Sequence, residues 1–319
     1  MSSPARPGGQ VEHPVAGIAL ILAMGLCFAT LDTTAKKLGQ VLPVLLVLWV
    51  RYAFQALAMT LWLGLRAASG RGNLFRTAHP RFQALRGTLL LVTSALLFWG
   101  IQFMPVAEYT AVGMLTPVIT TVLAALFLHE HVSRRRLALI AGGFVGALIV
   151  IRPGSGLFGW YALIPLAMAF VYAAYQLLTR RMSGLEHPLT THFYTGGVGT
   201  AIASLALWLA PVPVAQPLAE AGAATWALIV LAGFMGTAGH LLFILAVARA
   251  PMAVLMPFTY AQIAFASFTG WIAFGHVPDG IAFVGMAVVA ACGAAAVWLN
   301  FREASVSAAC ANANTATTE

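Results

Sequence analysis

Charged residues are scarce in this sequence. Only 8% of its 319 residues are Asp, Glu, Lys or Arg, whereas 61% are apolar. A soluble globular domain carries about 25% charged residues, because charge covers a surface that faces water. The shortage excludes a water-soluble protein and indicates that lipid is the main solvent of the chain.

Acidic residues are scarcer than basic ones: the sequence has nine Asp and Glu and seventeen Lys and Arg, so its net charge is +8. In a soluble protein this excess would suggest nucleic acid as a partner. In a chain embedded in lipid it indicates loop arginines that face anionic lipid headgroups. We therefore expect the lipid bilayer, and no nucleic acid, as a partner.

Cysteine and catalytic motifs are few as well. Cys27 and Cys292 lie within apolar runs and Cys310 lies in a polar tail, a distribution that does not suggest a disulfide framework. The sequence has no Walker A motif, so ATP is not the direct energy source, and we predict no cofactor. An intramembrane enzyme would need a nucleophile–base pair or clustered carboxylates at membrane depth. We keep it as a distant alternative and predict that the chain is not an enzyme.

Long apolar runs are what the sequence does have. About 20 mostly apolar residues cross the hydrocarbon core of a bilayer, and Pro, Gly and charged residues end each run. Ten stretches qualify, at about 15–35, 41–64, 86–104, 107–128, 136–152, 159–179, 189–210, 224–248, 251–275 and 280–300. The sequence thus predicts an all-α membrane protein with ten transmembrane helices, the first one retained rather than cleaved as a signal peptide.

The basic residues predict the orientation of these spans, since cytoplasmic loops carry an excess of Lys and Arg. Thirteen arginines, Arg86 among them, fall on one side, and only Lys36, Lys37 and Arg152 fall on the other. Arg51 is left within a span. We predict a bacterial inner-membrane protein with two cytoplasmic tails, residues 1–14 and 301–319, the second disordered.

An internal repeat relates the two halves. A shift of 146 residues places Pro105 on Pro251 and Gly87 on Gly233, and a shift of 144 aligns the first helix of each half. Each half has five spans, an odd number, so the second copy must be inverted. Inverted repeats around a central site are the architecture of many secondary transporters.

The pattern resembles the EamA family of the drug/metabolite transporter superfamily, as two five-helix units over 15–152 and 159–300. In that family a unit ends in a proline-containing helix and a Phe/Leu-Gly-Glu exit. Pro117 and the segment FLHEHVS match in the first unit, with Glu130 in the glutamate position. In the second unit His276 replaces the glutamate and Ile263 replaces the proline. The resemblance implies secondary transport of small organic metabolites by alternating access.

The His-Glu-His segment at 129–131 has two interpretations. It is either a solvated helix end, with Glu130 as a structural charge near arginines, or a metal site. It lacks a fourth ligand and the His-Glu-x-x-His spacing. We favour the helix end and predict no metal.

Three ionisable residues lie within spans, where such groups are costly and usually face a cavity or one another. Asp32 either faces a cavity or is a solvated helix-end residue beside Lys36, four positions on. Arg51 needs a carboxylate, carbonyl or water partner, and we interpret it as a structural charge. His240, among glycines at every third position, either lies in a groove for a ligand or bonds to a neighbouring helix.

The resemblance also implies a central cavity lined by the first, third, fourth, sixth, eighth and ninth helices. Aromatic rings there would supply apolar contact, and hydroxyls and an amide would orient polar groups. The candidate substrate-binding residues are Asp32, Trp99, Tyr109, Thr116, Tyr172, Tyr175, His240, Tyr260 and Gln262. The segment GGFVG at 142–146 has the spacing of a small-residue helix-packing seam.

These observations predict an exporter of a small polar or zwitterionic metabolite, such as an amino-acid-like compound or an amino-acid-derived metallophore. The alternative is an importer of a vitamin or nucleoside-type metabolite such as riboflavin or S-adenosylmethionine. Protons are a candidate coupling ion, and the sequence does not predict an oligomeric state.

Overall fold

The structure is a computed structural model that describes residues 14–70, 72–116, 118–120, 123, 134–152, 159–182, 185–247, 249, 255 and 258–316. All regular structure in this part of the chain is helical. The helices are α1 (Pro14–Leu38), α2 (Val44–Ala68), α3 (Pro80–Gly100), α4 (Val106–Gly113), α5 (Arg134–Ile151), a 3₁₀ turn (Gly159–Ala162), α6 (Leu163–Met182), α7 (Pro188–Leu209), α8 (Ala215–Ala219), α9 (Ala223–Val247), α10 (Ala261–Phe274) and α11 (Gly280–Ala316).

Five described helical stretches are long and apolar enough to cross a bilayer. They are Val15–Leu38, Val44–Ala68, Pro80–Gly100, Gly159–Thr179 and Ala223–Val247. Large apolar side chains cover their outer faces, as Leu65 and Leu163 show with 74% and 63% exposure. A surface of this kind needs lipid against it, because apolar area is costly to expose to water. The all-helical, multi-pass membrane character predicted from composition is therefore confirmed.

The helices pack in a pattern of pairs. α1 packs against α9 and α10, and α6 packs against α3 and α4. α2 contacts α9, and α7 contacts α3. Three further pairs join α2 to α7, α4 to α10 and α5 to α11. The core lies between these helices, with Ile21, Leu46 and Tyr52 fully buried in its largest cluster.

The α5–α11 pair is antiparallel and is built on small residues. A Cβ atom on Gly146 would lie 2.9 Å from the backbone nitrogen of Val289 and 3.0 Å from the carbonyl oxygen of Gly285. Gly142, one turn earlier, faces Cys292. The helix-packing seam predicted at 142–146 is confirmed, since only glycine lets the two backbones approach this closely.

Two basic residues predicted in loops lie instead within helices. Arg86 lies in the second turn of α3 and is fully buried. Lys36, in the last turn of α1, donates from Nζ to the carbonyl oxygens of Ile101, at 2.9 Å, and Met104. These carbonyls follow the end of α3, where the helix leaves its own acceptors unpaired. Lys36 therefore caps a neighbouring helix.

The last helix continues to Ala316 and so includes most of the segment from residue 301 for which the sequence predicts a disordered tail. The tail segment ASVSAACANANTA is rich in alanine, the residue with the highest helix propensity. Extending an existing helix requires no new nucleation. The apolar span therefore extends into the polar tail.

Candidate functional site

A buried cavity of about 100 Å³ lies between α1, α2, α3, α4, α6, α9 and α10. We call it the central chamber. A water molecule needs about 10–15 Å³ measured in this way, so the chamber holds several waters or a hydrated polar group. Its walls are mostly apolar and aromatic, and a few polar side chains converge on it, which is the usual composition of a small-molecule site.

Asp32 faces the central chamber. It is 3% exposed and lies in the interior of α1, which continues to Leu38. Its carboxylate interacts with the Gln262 amide of α10 and, electrostatically, with Arg51. Lys36 turns away towards the end of α3. The alternative of a solvated helix-end carboxylate beside Lys36 is therefore excluded.

Arg51 also lines the chamber, halfway along α2 and 1% exposed. Its Nη1 lies 3.4 Å from the Ser94 hydroxyl, and its guanidinium carbon lies 4.3 Å from the centre of the Tyr52 ring. Gly236 on α9 makes room for it, because a Cβ atom there would lie 2.7 Å from Nε. Nε and Nη2 have no hydrogen-bond partner among the described residues.

His240 lines the chamber from α9 and is 5% exposed. Its ring packs edge-on against Phe28 of α1, with the ring centres 4.8 Å apart. Gly239 gives that Phe28 ring its space, since a Cβ atom would approach it to 2.5 Å. The Nδ1 atom has no partner among the described residues. The observed contact is thus aromatic packing at the chamber wall, and one ring nitrogen remains available.

Four more predicted residues line the chamber: Tyr109, Thr116, Tyr172 and Gln262. The Tyr109 hydroxyl donates to the Leu96 carbonyl at 3.0 Å, which fixes the ring. Thr116 donates to the Gly113 carbonyl at 2.7 Å, so its methyl group and not its proton is free. The structure places these four residues around one cavity, and their contact with a substrate remains a proposal.

Trp99 and Tyr175 do not line the chamber, and the prediction is wrong for both. Trp99 is 43% exposed, whereas its neighbour Phe98 is buried and lines the chamber. Tyr175 stacks on Tyr172, and its hydroxyl accepts a hydrogen bond from Arg86. In both cases the adjacent residue, Phe98 or Gln176, lines the chamber instead. One position along a helix turns a side chain by about 100° around the helix axis, which is enough to move it off the chamber wall.

Tyr260 lies beside the chamber and faces α11. Its ring occupies the space above Gly293, where a Cβ atom would overlap it. The structure thus differs from the predicted lining for this residue too. The sequence around Tyr260 does not show that Gly293, on another helix, leaves space for its ring. Glu130, with the His-Glu-His segment, and Pro117 lie outside the described residues, so the interpretation of that segment remains a prediction.

Sequence reasoning missed several lining residues, the polar ones being Thr93, Ser94, Thr110, Gln176 and Thr259. A usable signal existed on α6, where Met168, Tyr172 and Gln176 recur every fourth residue on one face. The Thr110 hydroxyl is buried and has no partner among the described residues. It adds a further hydrogen-bonding group to the chamber.

A second buried arginine lies between α3, α6 and α7. Arg86 donates from Nε to the Thr179 hydroxyl at 2.9 Å and from Nη2 to the Tyr175 hydroxyl at 2.8 Å. Its Nη1 donates to the Thr195 hydroxyl at 2.6 Å and to the Thr191 carbonyl at 3.2 Å. All three guanidinium nitrogens are therefore paired, and Arg86 joins three helices.

Another cavity, of about 210 Å³, lies at the end of α1 and α10 and the beginning of α4. Lys36 and His276 line it, and the His276 Nε2 atom lies 2.9 Å from a carboxylate oxygen of Glu108. The same three helices line the central chamber one or two turns further on. The two cavities therefore follow one another along a single helix interface.

Comparison with known proteins gives the family. Residues 15–152 match the model of the EamA-like transporter family. Residues 15–152 therefore form an EamA-like transporter domain. The resemblance carried by the FLHEHVS exit and the ten apolar runs is thus confirmed, and so is the predicted function at this level: an EamA-family membrane transporter of small metabolites.

Three curated relatives align with most of the chain. It is 28% identical to the riboflavin transporter of Vibrio cholerae, over 87% of this chain and 91% of that protein. It is 24% identical to the pseudopaline exporter CntI of Pseudomonas aeruginosa, over 86% and 94%. It is 25% identical to the S-adenosylmethionine uptake transporter of Rickettsia bellii, over 82% and 87%. All three are named as transporters of small molecules.

The fold of the chain also has a counterpart among solved structures. One described as "Crystal structure of protein" has a TM-score of 0.65 at 20% identity, and the match covers 90% of this chain and 98% of that chain. At this identity the likeness concerns the fold alone.

Proposed function

We propose that this EamA protein is a ten-span secondary transporter built from two inverted repeats, 15–152 and 159–300, with the central chamber as its substrate site. The pairing of the helices supports the inverted repeat. Exchanging α1 with α6, α2 with α7, α3 with α9, α4 with α10 and α5 with α11 leaves the set of pairings described above unchanged. The α1–α9, α1–α10 and α2–α9 pairs become α6–α3, α6–α4 and α7–α3, and the other three pairs map onto themselves. A two-fold relation between the halves accounts for this pattern directly.

Two matched glycines give independent support. A Cβ atom on Gly87 of α3 would lie 2.7 Å from Val198 of α7, and one on Gly233 of α9 would lie 2.5 Å from the Phe54 ring of α2. Gly233 is Gly87 shifted by 146 residues, and Val198 is Phe54 shifted by 144. Both halves thus make the same contact with the other half. Equivalent halves can exchange conformations and open one site to alternate sides.

One observation carries the assignment of the substrate site. Buried polar atoms from both halves have no partner among the described residues and belong to side chains that line one chamber: Arg51, Thr110 and His240. An unsatisfied buried polar atom costs about 1–3 kcal/mol, and a polar ligand removes that cost. A transported solute, with no reaction at the site, is sufficient to supply these partners. We therefore infer transport rather than catalysis.

We propose riboflavin as the substrate, taken up across the bacterial inner membrane. The chamber walls include Phe28, Phe98, Phe243 and two tyrosines, which suit a flat heteroaromatic ring. The few polar groups suit the polar edge of such a ring. A relative named as a riboflavin transporter covers almost the entire chain.

A zwitterionic, amino-acid-derived solute is the second candidate. Asp32 and Arg51 place opposite charges in one chamber without a contact ion pair among the described residues, and a zwitterion would pair with both. The pseudopaline exporter among the relatives is consistent with this candidate. The orientation proposed for both cases has cytoplasmic termini, on the arginine distribution.

Uptake of labelled riboflavin into proteoliposomes tests the proposal, with and without an imposed proton gradient. Thr93→Phe should abolish uptake, because residue 93 lines the chamber, and the neighbouring Val92→Phe, on the 41%-exposed outer face, should not. Equal uptake by the two variants would place transport outside the chamber. No riboflavin uptake by the wild type, together with uptake or efflux of labelled amino acids, would favour the zwitterion.

A further inference from the structure

We propose that Arg51 is a specificity-determining substrate-binding residue and that, with Asp32, it recognises a solute in which acceptor oxygens stand beside an N–H donor. This inference rests on the proposed function in one respect, that the solute occupies the central chamber. It replaces the interpretation of Arg51 as a structural charge. The class of solute follows from the complementary hydrogen-bonding groups of the two residues.

The two buried arginines of the chain differ in their hydrogen bonding. Arg86 is fully buried and every guanidinium nitrogen has an acceptor, four bonds in all. Arg51 is equally buried, but among the described residues only its Nη1 has a hydrogen bond, the long one of 3.4 Å to Ser94. Nε and Nη2 have none among the described residues. The protein itself therefore satisfies the hydrogen-bonding groups of Arg86, as expected for a structural residue, whereas the described residues leave those of Arg51 partly unsatisfied.

A guanidinium stays charged at any relevant pH, so its burial requires acceptors. Among the described residues no carboxylate oxygen lies within 4 Å of Arg51: the ion pairs found there join His79 to Glu186, Arg152 to Asp279 and His276 to Glu108. The Tyr52 ring, 4.3 Å from the guanidinium carbon, adds a cation–π contact. The chamber is where an acceptor can enter, and a planar fork of donors favours a pair of oxygens.

Asp32, which lines the same chamber, needs a hydrogen-bond donor where Arg51 needs an acceptor. Its carboxylate accepts hydrogen bonds only, and its partner Gln262 offers both an amide donor and a carbonyl acceptor. Asp32, Gln262 and Arg51 together are therefore complementary to an N–H group flanked by oxygen atoms. The imide edge of a flavin ring has this pattern, with an N–H between two carbonyl groups. A carboxylate beside an ammonium group is the other chemistry that provides it.

Equilibrium binding to purified protein in detergent tests the proposal, with quenching of riboflavin fluorescence as the signal. Arg51→Gln should weaken binding about 10–100-fold, the loss expected for hydrogen bonds to a charged group. Arg51→Lys should recover only part of it, because an ammonium group cannot form the planar fork. Riboflavin methylated at the imide nitrogen should bind the wild type at least about 10-fold more weakly, and Asp32→Ala, which removes the acceptor oxygens, should lose that discrimination. The melting temperature of each variant monitors folding.

The outcomes separate this inference from the choice of riboflavin. A folded Arg51→Gln protein that binds riboflavin as the wild type does would overturn the role of Arg51. A wild type that does not bind riboflavin, but binds labelled histidine or aspartate in an Arg51-dependent manner, would support that role and reject riboflavin. A folded wild type that binds none of the three probes would overturn both.

Discussion

At the scale of single residues, the Arg86 network predicts a stability effect. Arg86→Lys keeps the charge but offers three donors from one point, so it cannot reach the acceptors on Thr179, Thr191, Thr195 and Tyr175 together. We expect a loss of about 2–4 kcal/mol in stability, since hydrogen bonds to a charged group are worth about 1.5–3 kcal/mol each. Thermal unfolding in detergent measures it. Arg81→Lys, an exposed site on the same helix, is the control, and an equal melting temperature for the two variants would refute the structural role.

A second residue-scale prediction concerns pH and the link between the α2–α3 and α6–α7 connections. Burial alone raises the pKa of Glu186, but hydrogen bonds from the Thr77 hydroxyl at 2.6 Å, the His79 ring and the Ala78 and His79 amides outweigh it and lower the pKa below its ordinary value of 4.5. A carboxyl group with a lowered folded-state pKa stabilises the fold above its ordinary pKa. That contribution is lost as the pH falls through the lowered value.

The Glu186→Gln variant isolates this effect. The variant should melt lower than the wild type at pH 7, and the difference should shrink as the pH falls below about 4.5, because the wild-type carboxylate then becomes protonated. Melting temperatures over a series of pH values measure it. Glu220→Gln, at an exposed position after α8, is the matched control. A wild-type-to-variant difference that stays constant with pH would contradict the explanation.

The sequence predicted the chamber well where a residue is chemically unusual for its setting. Asp32, Arg51 and His240 stand out because ionisable groups are costly within spans, and all three line the chamber. Aromatic residues carry no such signal, since they also suit lipid contact. Trp99 and Tyr175 were therefore misplaced by one helical position. The apolar run begins only at residue 86, so hydropathy places Arg86 at the edge of a loop. The α3 helix itself begins six residues earlier, at Pro80, and therefore includes Arg86.

At the scale of helices, the glycine seam between α5 and α11 makes a prediction. Gly146→Ala places a methyl group 2.9 Å from both the side chain and the backbone nitrogen of Val289, so the helices must separate. We expect a destabilisation of about 1–3 kcal/mol, as for other overpacked sites. Gly64→Ala on α2 meets nothing within 4 Å and gains helix propensity, so it should be neutral or stabilising. Melting curves of the two variants decide, and equal effects would mean that the seam is not close-packed.

Helix positions follow from the sequence more closely than helix ends do. Apolar length and Pro or Gly punctuation located α2 and α9 within a few residues. The end of α11 at Ala316 differs from the predicted span by 16 residues. Hydropathy marks where lipid begins and ends, whereas a helix ends where its hydrogen-bonded backbone ends. The two boundaries coincide only when a helix-breaking residue lies at the membrane surface.

At the scale of the whole molecule, the inverted-repeat proposal predicts the side on which each connection lies. The α5 helix has 18 residues and spans about 27 Å at 1.5 Å per residue. Because α11 runs antiparallel to it, and Arg152 after α5 forms an ion pair with Asp279 before α11, the first turn of α5 lies at the opposite end of the bundle from residues 276–279. One end must be cytoplasmic and the other external if α5 spans the bilayer.

Labelling of single cysteines in whole cells with a membrane-impermeant maleimide tests this arrangement. In a background without the three native cysteines, Val277→Cys, at a 58%-exposed position, should react in intact cells. Arg135→Cys and Ser69→Cys, both exposed, should react only after permeabilisation, because the arginine distribution places these segments in the cytoplasm. Reaction of all three from the same side would end the inverted-repeat proposal. Reaction of Arg135→Cys and Ser69→Cys from outside, with Val277→Cys protected, would keep the repeat and reverse the orientation.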